Sequence, residues 1–388
     1  VAQLRVRAVL ARGGTSKGLI FHRRDLPAER AAWDALFLAA MGSPDPNGRQ
    51  LDGVGGGISS LSKCCVVGPP SRAEADVDFT FAQVEVRRAA VDYRSNCGNM
   101  LAAIGPFAVD EGLVSAAGGE ARVRIHNTNT GKRIDACFPL EGGCAAVEGD
   151  LAIPGVAGTG APVRLEFLDP GGAATGALLP SGRPLDRLQI PGLGPIDASL
   201  VDAGNPCVFV AAAALGLEGN EPPEAIDADP ALGERLERIR CAAGVVMGLA
   251  ASPEALHRGS PAIPKLGLVA PPRAATTLSG GRLEAGDGAL SVRMLSMGNA
   301  HRALPLTGAL CCAVAARIEG TVVARNAVLD PDPEADLRLL QPSGVLAVRA
   351  VVTRRGGTWH AERASFYRTQ RRLLEGFVCL PRSRCTVP

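Results

Sequence analysis

Apolar and polar residues alternate from Leu4 to Leu10, and an apolar run resumes at Leu19, which predicts two strands joined by a glycine-rich bend at 12–18. Asp25, Leu26 and Pro27 then read as the start of a helix to about Met41, with Trp33, Leu36, Phe37 and Ala40 on one face. The run 64–67 reads as a buried strand, 79–86 as an alternating one and 90–93 as a short one. From Cys97 to about Val109 the pattern is apolar nearly all round, which predicts a helix buried on every side. Residues 123–126 and 133–138 form a predicted hairpin with NTNTG as its turn.

The second half repeats these features. A strand at 198–202 leads to Gly204-Asn205-Pro206 and the apolar run CVFVAAA. An amphipathic helix is expected at 230–250, strands at 265–270 and 289–295, and a glycine turn at 296–299. Thr307-Gly308 then opens a second wholly apolar helix, ALCCAVAARI. This is an α+β chain with an internal, pseudo-twofold repeat. The Gly- and Pro-rich stretch 155–195 places the boundary near 179–188. The expected domains are 1–184, carrying Lys63 and Cys97, and 185–388, whose last strand could pack back on the first half.

Composition narrows the function classes. With 388 residues, 46% apolar and 21% charged, the chain reads as a soluble globular protein of about two domains. A net charge of +2 and 4% aromatics give no argument for nucleic acid or an anionic membrane. No apolar run is long enough to span a bilayer and no signal-peptide pattern opens the chain, so the expected location is cytoplasmic. Eleven cysteines without C-x-x-C and five scattered histidines predict no metal site and mostly buried thiols.

Two residues stand apart from that background. Lys63 follows the loop GVGGGISSLS and precedes an apolar run, so its amine either snorkels to solvent or is partly buried. Burial disfavours an ammonium, and a neutral amine is a base. Lys17 and Lys132 follow Ser or Gly in the same way and are rivals on local grounds. Cys97, with Gly98 and Asn99, opens the first buried helix, where the N-terminal field favours negative charge; it is the cysteine best placed to react. Thr307 and Gly308 open the second. Two such ends suit a substrate with several carboxylates. Ser16, Ser60, Asn99, Asn205 and His301 are the polar candidates for gripping it, and each could equally be a loop or cap residue.

The strings ARGGTSKG (11–18), MGSPD (41–45), LDGVGGGISSLSK (51–63), DVDFTFAQV (76–84), NCGN (96–99) and TGKRI (130–134) closely resemble the PrpF-like family of 2-methylaconitate cis-trans isomerases, 4-oxalomesaconate tautomerases and related Δ-isomerases. GNP (204–206), MGNAHRALPLTG (297–308) and GFVCLP (376–381) extend the resemblance to nearly the whole chain. It implies the diaminopimelate epimerase-like fold, in which two similar halves each wrap a mixed sheet around a central helix, with the site in the cleft between them. It also implies that Lys63 is the catalytic lysine and Cys97 the catalytic cysteine. Racemases of this fold use a cysteine from each half, whereas the second slot here holds Pro305, and Cys311 and Cys312 fall a turn into the helix.

The function so implied is cofactor-independent isomerisation of an unsaturated di- or tricarboxylic acid by allylic proton transfer. Lys63 would be the base, Cys97 would assist, and Ser16, Ser60, Gly98, Asn99, Asn205, His301, Thr307 and Gly308 would bind substrate. An amino-acid racemase and a non-catalytic tricarboxylate-binding accessory protein are the alternatives, and a homodimer is left open.

Overall fold

Strands dominate because apolar residues recur at every second position and bury one face, as in Gln3–Gly13 and Val163–Leu168. The computed structural model describes residues 3–93, 96–260 and 262–385. The chain divides into two compact units, Val1–Glu166 with Tyr367–Pro388, and Phe167–Phe366. The first crossing falls inside the strand Val163–Leu168, upstream of the 179–188 region where the glycine-rich composition suggested a boundary. That composition covers loops lying downstream of a short, regular strand.

In the first unit, Gln3–Gly13 pairs antiparallel with both Ser16–His22 and the C-terminal strand Gln370–Pro381. Ser16–His22 runs parallel to Lys63–Gly68, which pairs antiparallel with Val77–Val84. Val77–Val84 runs parallel to Glu120–Asn127, which forms a hairpin with Lys132–Glu141. The helix Gly98–Asp110 packs against most of these strands, and Leu101, Ile104 and Phe107 are buried inside them. Burial of each such side chain contributes about 1.5–3 kcal/mol. Gly105 lets the helix sit close, since a β-carbon there would stand 2.8 Å from Ala136 Cβ.

The second unit uses the same plan. Gly194–Asp202 pairs antiparallel with Pro206–Ala211, which runs parallel to Lys265–Ala270. That strand pairs antiparallel with Leu290–Ser296, which runs parallel to Leu337–Gln341. The helix Leu306–Ala316 is buried along its whole length. An outer helix, Pro230–Val246, is capped by Asp229, whose carboxylate accepts from Leu232 N at 3.0 Å, and places Leu232, Leu236 and Ile239 in the core.

The first outer helix is shorter than its sequence suggests. It spans Trp33–Met41, after a separate 3-10 turn at Arg23–Asp25 and a second, Arg30–Ala32, that runs directly into it. Arg23 donates to the carbonyls of Pro27 and Ala28, and Trp33 Nε1 also donates to Pro27 O, so side chains take the acceptors that helical amides would need. No helix among the described residues is long and apolar enough to cross a membrane.

Candidate active site

Lys63 is the first residue of its strand, and the antiparallel register sets it opposite Gln83. Its Nζ donates to Gln83 Oε1 at 2.5 Å and lies 5.0 Å from the centre of the Phe81 ring. The residue is 7% exposed, so the amine does not point into bulk water. Gln83 Nε2 in turn donates to Ser59 O at 3.0 Å and Ser62 O at 2.9 Å, tying the lysine to the turn Ser59–Leu61 that carries the half-buried Ser60. Gln50 organises the preceding loop from a positive φ of 53°: Nε2 donates to Ser43 Oγ and Ser62 Oγ, and Oε1 accepts from Gly57 N. A β-carbon on Gly55 would fall 2.2 Å from Gln50 Oε1, which explains a glycine there.

Cys97 is the N-cap of the helix Gly98–Asp110, 9% exposed, with Sγ 3.9 Å from Ser16 Oγ. Ser16 is buried in the strand next to Lys63–Gly68. Cys65 lies two residues along the strand from Lys63. Burial drives its thiol pKa well above the ordinary value; Cys97 and Cys64 add to the rise and Lys63 opposes it. Lys63 and Cys97 are therefore both within electrostatic reach of one inert thiol.

The bend of the first hairpin locks onto the start of the same helix. Asn99 Nδ2 donates to Thr15 Oγ1 at 3.1 Å, and Asn99 Oδ1 accepts from Thr15 N and from Arg368 Nε, each at 3.3 Å. Gly14 has φ +51°, and a β-carbon on it would collide with Asn99 Oδ1 at 2.2 Å. Gly98 is buried at the first helical position.

The remaining candidates lie in the second unit. Asn205 Nδ2 donates to Thr307 Oγ1 at 2.9 Å, a turn-to-helix bond matching Thr15 to Asn99 with the residue types exchanged. Gly308 makes room for Met294, whose Sδ would lie 2.2 Å from a β-carbon there. His301 Nε2 shares a hydrogen bond with Ser296 Oγ at 2.7 Å. Burial, then the charges of Lys265 and Arg302, pull the His301 pKa down to about 4 against Asp227. Cys311 and Cys312 are fully buried with thiol pKa values raised by desolvation.

Gln83, Gln50 and Arg368 were not singled out by the sequence. Gln83 is recognisable only once the register puts it across from Lys63, and Arg368 arrives from the far end of the chain. Among the described residues, Glu237, Cys241 and His257 bring three donor atoms within 4.8 Å. Arg240 already takes both Glu237 oxygens at 2.7 Å, so this donor set is spent on a guanidinium.

Two repeats of a mixed sheet around a buried helix define the diaminopimelate epimerase-like fold. A hydroxyproline epimerase from Agrobacterium vitis shares it at TM-score 0.53 and 13% identity over 97% of this chain and 93% of that one. The chain belongs to the PrpF family, whose profile, described as PrpF protein, matches residues 3–381. It is 41% identical to a 3-methylitaconate isomerase from Eubacterium barkeri over 98% of this chain and 99% of the relative. It is 39% identical to a 2-methyl-aconitate isomerase from Shewanella oneidensis, with 98% of each covered. It is 41% identical to a (4E)-oxalomesaconate Delta-isomerase from Novosphingobium, with 95% of each covered. The crystal structure of a methylitaconate-delta-isomerase matches with TM-score 0.89 and 39% identity over 100% of this chain and 98% of that one. The chain is an enzyme of the isomerase class.

Proposed function

We propose that this enzyme moves or rotates the C=C bond of an unsaturated di- or tricarboxylic acid of the methylaconitate, aconitate or 4-oxalomesaconate type, with Lys63 as the base and Cys97 assisting. The observation that carries the reading is the buried amine of Lys63, fixed by Gln83 and sharing the surroundings of Cys65 with the thiol at the helix head. In its free-base form Lys63 removes a proton from the carbon next to the double bond, and the electron pair delocalises into the carboxylate- or keto-conjugated system as a dienolate. The partial positive charge at the helix N-terminus favours this anion. Return of a proton to the far carbon, from Lys63 or Cys97, shifts the double bond; rotation in the intermediate changes its geometry. Ser16, Ser60, Gly98, Asn99, Asn205, His301, Thr307 and Gly308 are proposed to bind or frame the substrate. A two-thiol racemase finds less support, because Pro305 is the N-cap where the first unit has Cys97.

The test is a panel of aconitate, methylaconitate, methylitaconate and oxalomesaconate incubated with enzyme in D2O. Ultraviolet absorbance and proton NMR should show isomerisation of at least one acid, with solvent deuterium entering carbon. Binding of the acids without exchange would remove the proposed chemistry.

A further inference from the structure

The C-terminal part of the chain reaches the head of the first buried helix through one arginine. Arg368 lies in the same compact unit as Lys63 and Cys97, because the chain returns to that unit at Tyr367. It is 6% exposed; Nη1 donates to Tyr367 O at 2.8 Å and Nε to Asn99 Oδ1 at 3.3 Å. Burial pulls the guanidinium pKa down to about 9, so the group is charged at neutral pH. Keeping a cation out of water is costly unless its donors are used, which ties Arg368 to the acceptors it meets.

Asn99 is the second residue of the helix Gly98–Asp110. Its Oδ1 is shared between Arg368 Nε and Thr15 N, and its Nδ2 donates to Thr15 Oγ1. A carboxamide can turn over and exchange its oxygen for its nitrogen, which would set two donors against each other at the Thr15 amide. A guanidinium only donates, so Arg368 holds the oxygen on the side where Thr15 N needs it.

The bend held in this way is tight. Gly13 pairs with Ser16 in the hairpin register, leaving Gly14 and Thr15 as a two-residue tip. A β-carbon on Gly14 would meet Asn99 Oδ1 at 2.2 Å and Arg368 Cδ at 3.0 Å, so both the amide and the arginine stem pack on the tip. Gly14 N donates to Thr369 O at 2.9 Å, and Arg12 Nη1 donates to Thr369 Oγ1 at 3.0 Å. Ser16 follows directly, buried, with Oγ 3.9 Å from Cys97 Sγ. The place of Ser16 beside the thiol is thus set by the tip, and the tip by Asn99.

We propose that Arg368 is a positioning residue of the first unit: it fixes the side-chain amide of Asn99, which holds the hairpin tip on the helix head and so keeps Ser16 at the Cys97 thiol. The effect on catalysis rests on the reaction proposed above, whereas the linkage itself is independent of it.

The test compares intact wild type with Arg368→Met, Arg368→Lys and Asn99→Ala, at matched folding by circular dichroism. Amide hydrogen–deuterium exchange of segment 14–16, read by mass spectrometry, needs no substrate. Exchange there should be about ten-fold faster or more in Arg368→Met, with the strand Lys63–Gly68 exchanging as in wild type. Asn99→Ala should accelerate segment 14–16 to the same extent, and Arg368→Lys, whose ammonium still donates, should stay near wild type. On whichever acid the panel identifies, Arg368→Met should lower kcat roughly ten- to hundred-fold with KM within a few-fold, and Arg368→Lys should recover most of the loss. In an Asn99→Ala background, Arg368→Met should cost less than about three-fold more in kcat, since the two residues act as one unit. Unchanged exchange at 14–16 in Arg368→Met and Asn99→Ala would overturn the linkage. A kcat within about two-fold of wild type in Arg368→Met, or the same loss in both backgrounds, would overturn the positioning role. If wild type isomerises no acid, the proposed reaction fails, and the exchange rates still decide whether Arg368 holds the tip.

Discussion

Gln83 is the residue on which the geometry at Lys63 depends. Its carbonyl accepts from the amine while its NH2 holds two carbonyls of the loop before it, so one side chain fixes both the base and the turn. Replacing it with glutamate keeps the shape but puts a carboxylate against the amine and removes the donor to Ser59 and Ser62. A neighbouring carboxylate favours an ammonium, which cannot accept a proton. Gln83→Glu should therefore cut kcat near neutral pH by roughly ten-fold or more; an unchanged kcat would mean that the amine is not the base. Lys63 and Cys97 each stand at a change of pattern in the sequence, loop to strand and loop to helix, but Lys17 and Lys132 rival Lys63 on local grounds and only the family resemblance separates them. Gln83 and Gln50 were not legible, because their partners lie across a sheet register or a long loop.

Among the elements, the two buried helices were legible almost to the residue, since an all-apolar stretch that opens on small residues has few other places to go. The helix before Met41 was misplaced at its start for the opposite reason: long-range side-chain donors, not local propensity, decided where it begins. The turn carrying His301 joins Leu290–Ser296 to the helix Leu306–Ala316, and its imidazole titrates with the fold. Its pKa is about 4 in the folded protein, below the ordinary histidine value, so the unfolded chain binds more protons between those limits. The stabilisation is present above about pH 6.5 and is lost as pH falls toward 4, at a cost of about 2.5 kcal/mol by pH 4.5. Urea unfolding at pH 7 and 4.5 should show a smaller acid-induced loss in His301→Gln than in wild type. Equal losses would place the buried proton site elsewhere.

At the scale of the whole molecule, the repeat was readable from two glycine turns and two apolar helices, and the strand pairings give each unit the same plan. The point at which the chain changes unit was not readable. It falls inside a six-residue strand whose alternating burial is plain in the structure, but it sits at the edge of a stretch dominated by glycine and proline. The two units differ at the helix head, Cys97 in the first and Pro305 in the second. The account stands on the first of these. The most direct measurement is solvent deuterium uptake into the acid, followed by NMR in D2O with wild type and Lys63→Met compared at matched folding by circular dichroism. Wild type should carry deuterium into both isomers and Lys63→Met should carry none above the uncatalysed rate. Uptake by the folded variant at a rate near that of wild type would contradict the account.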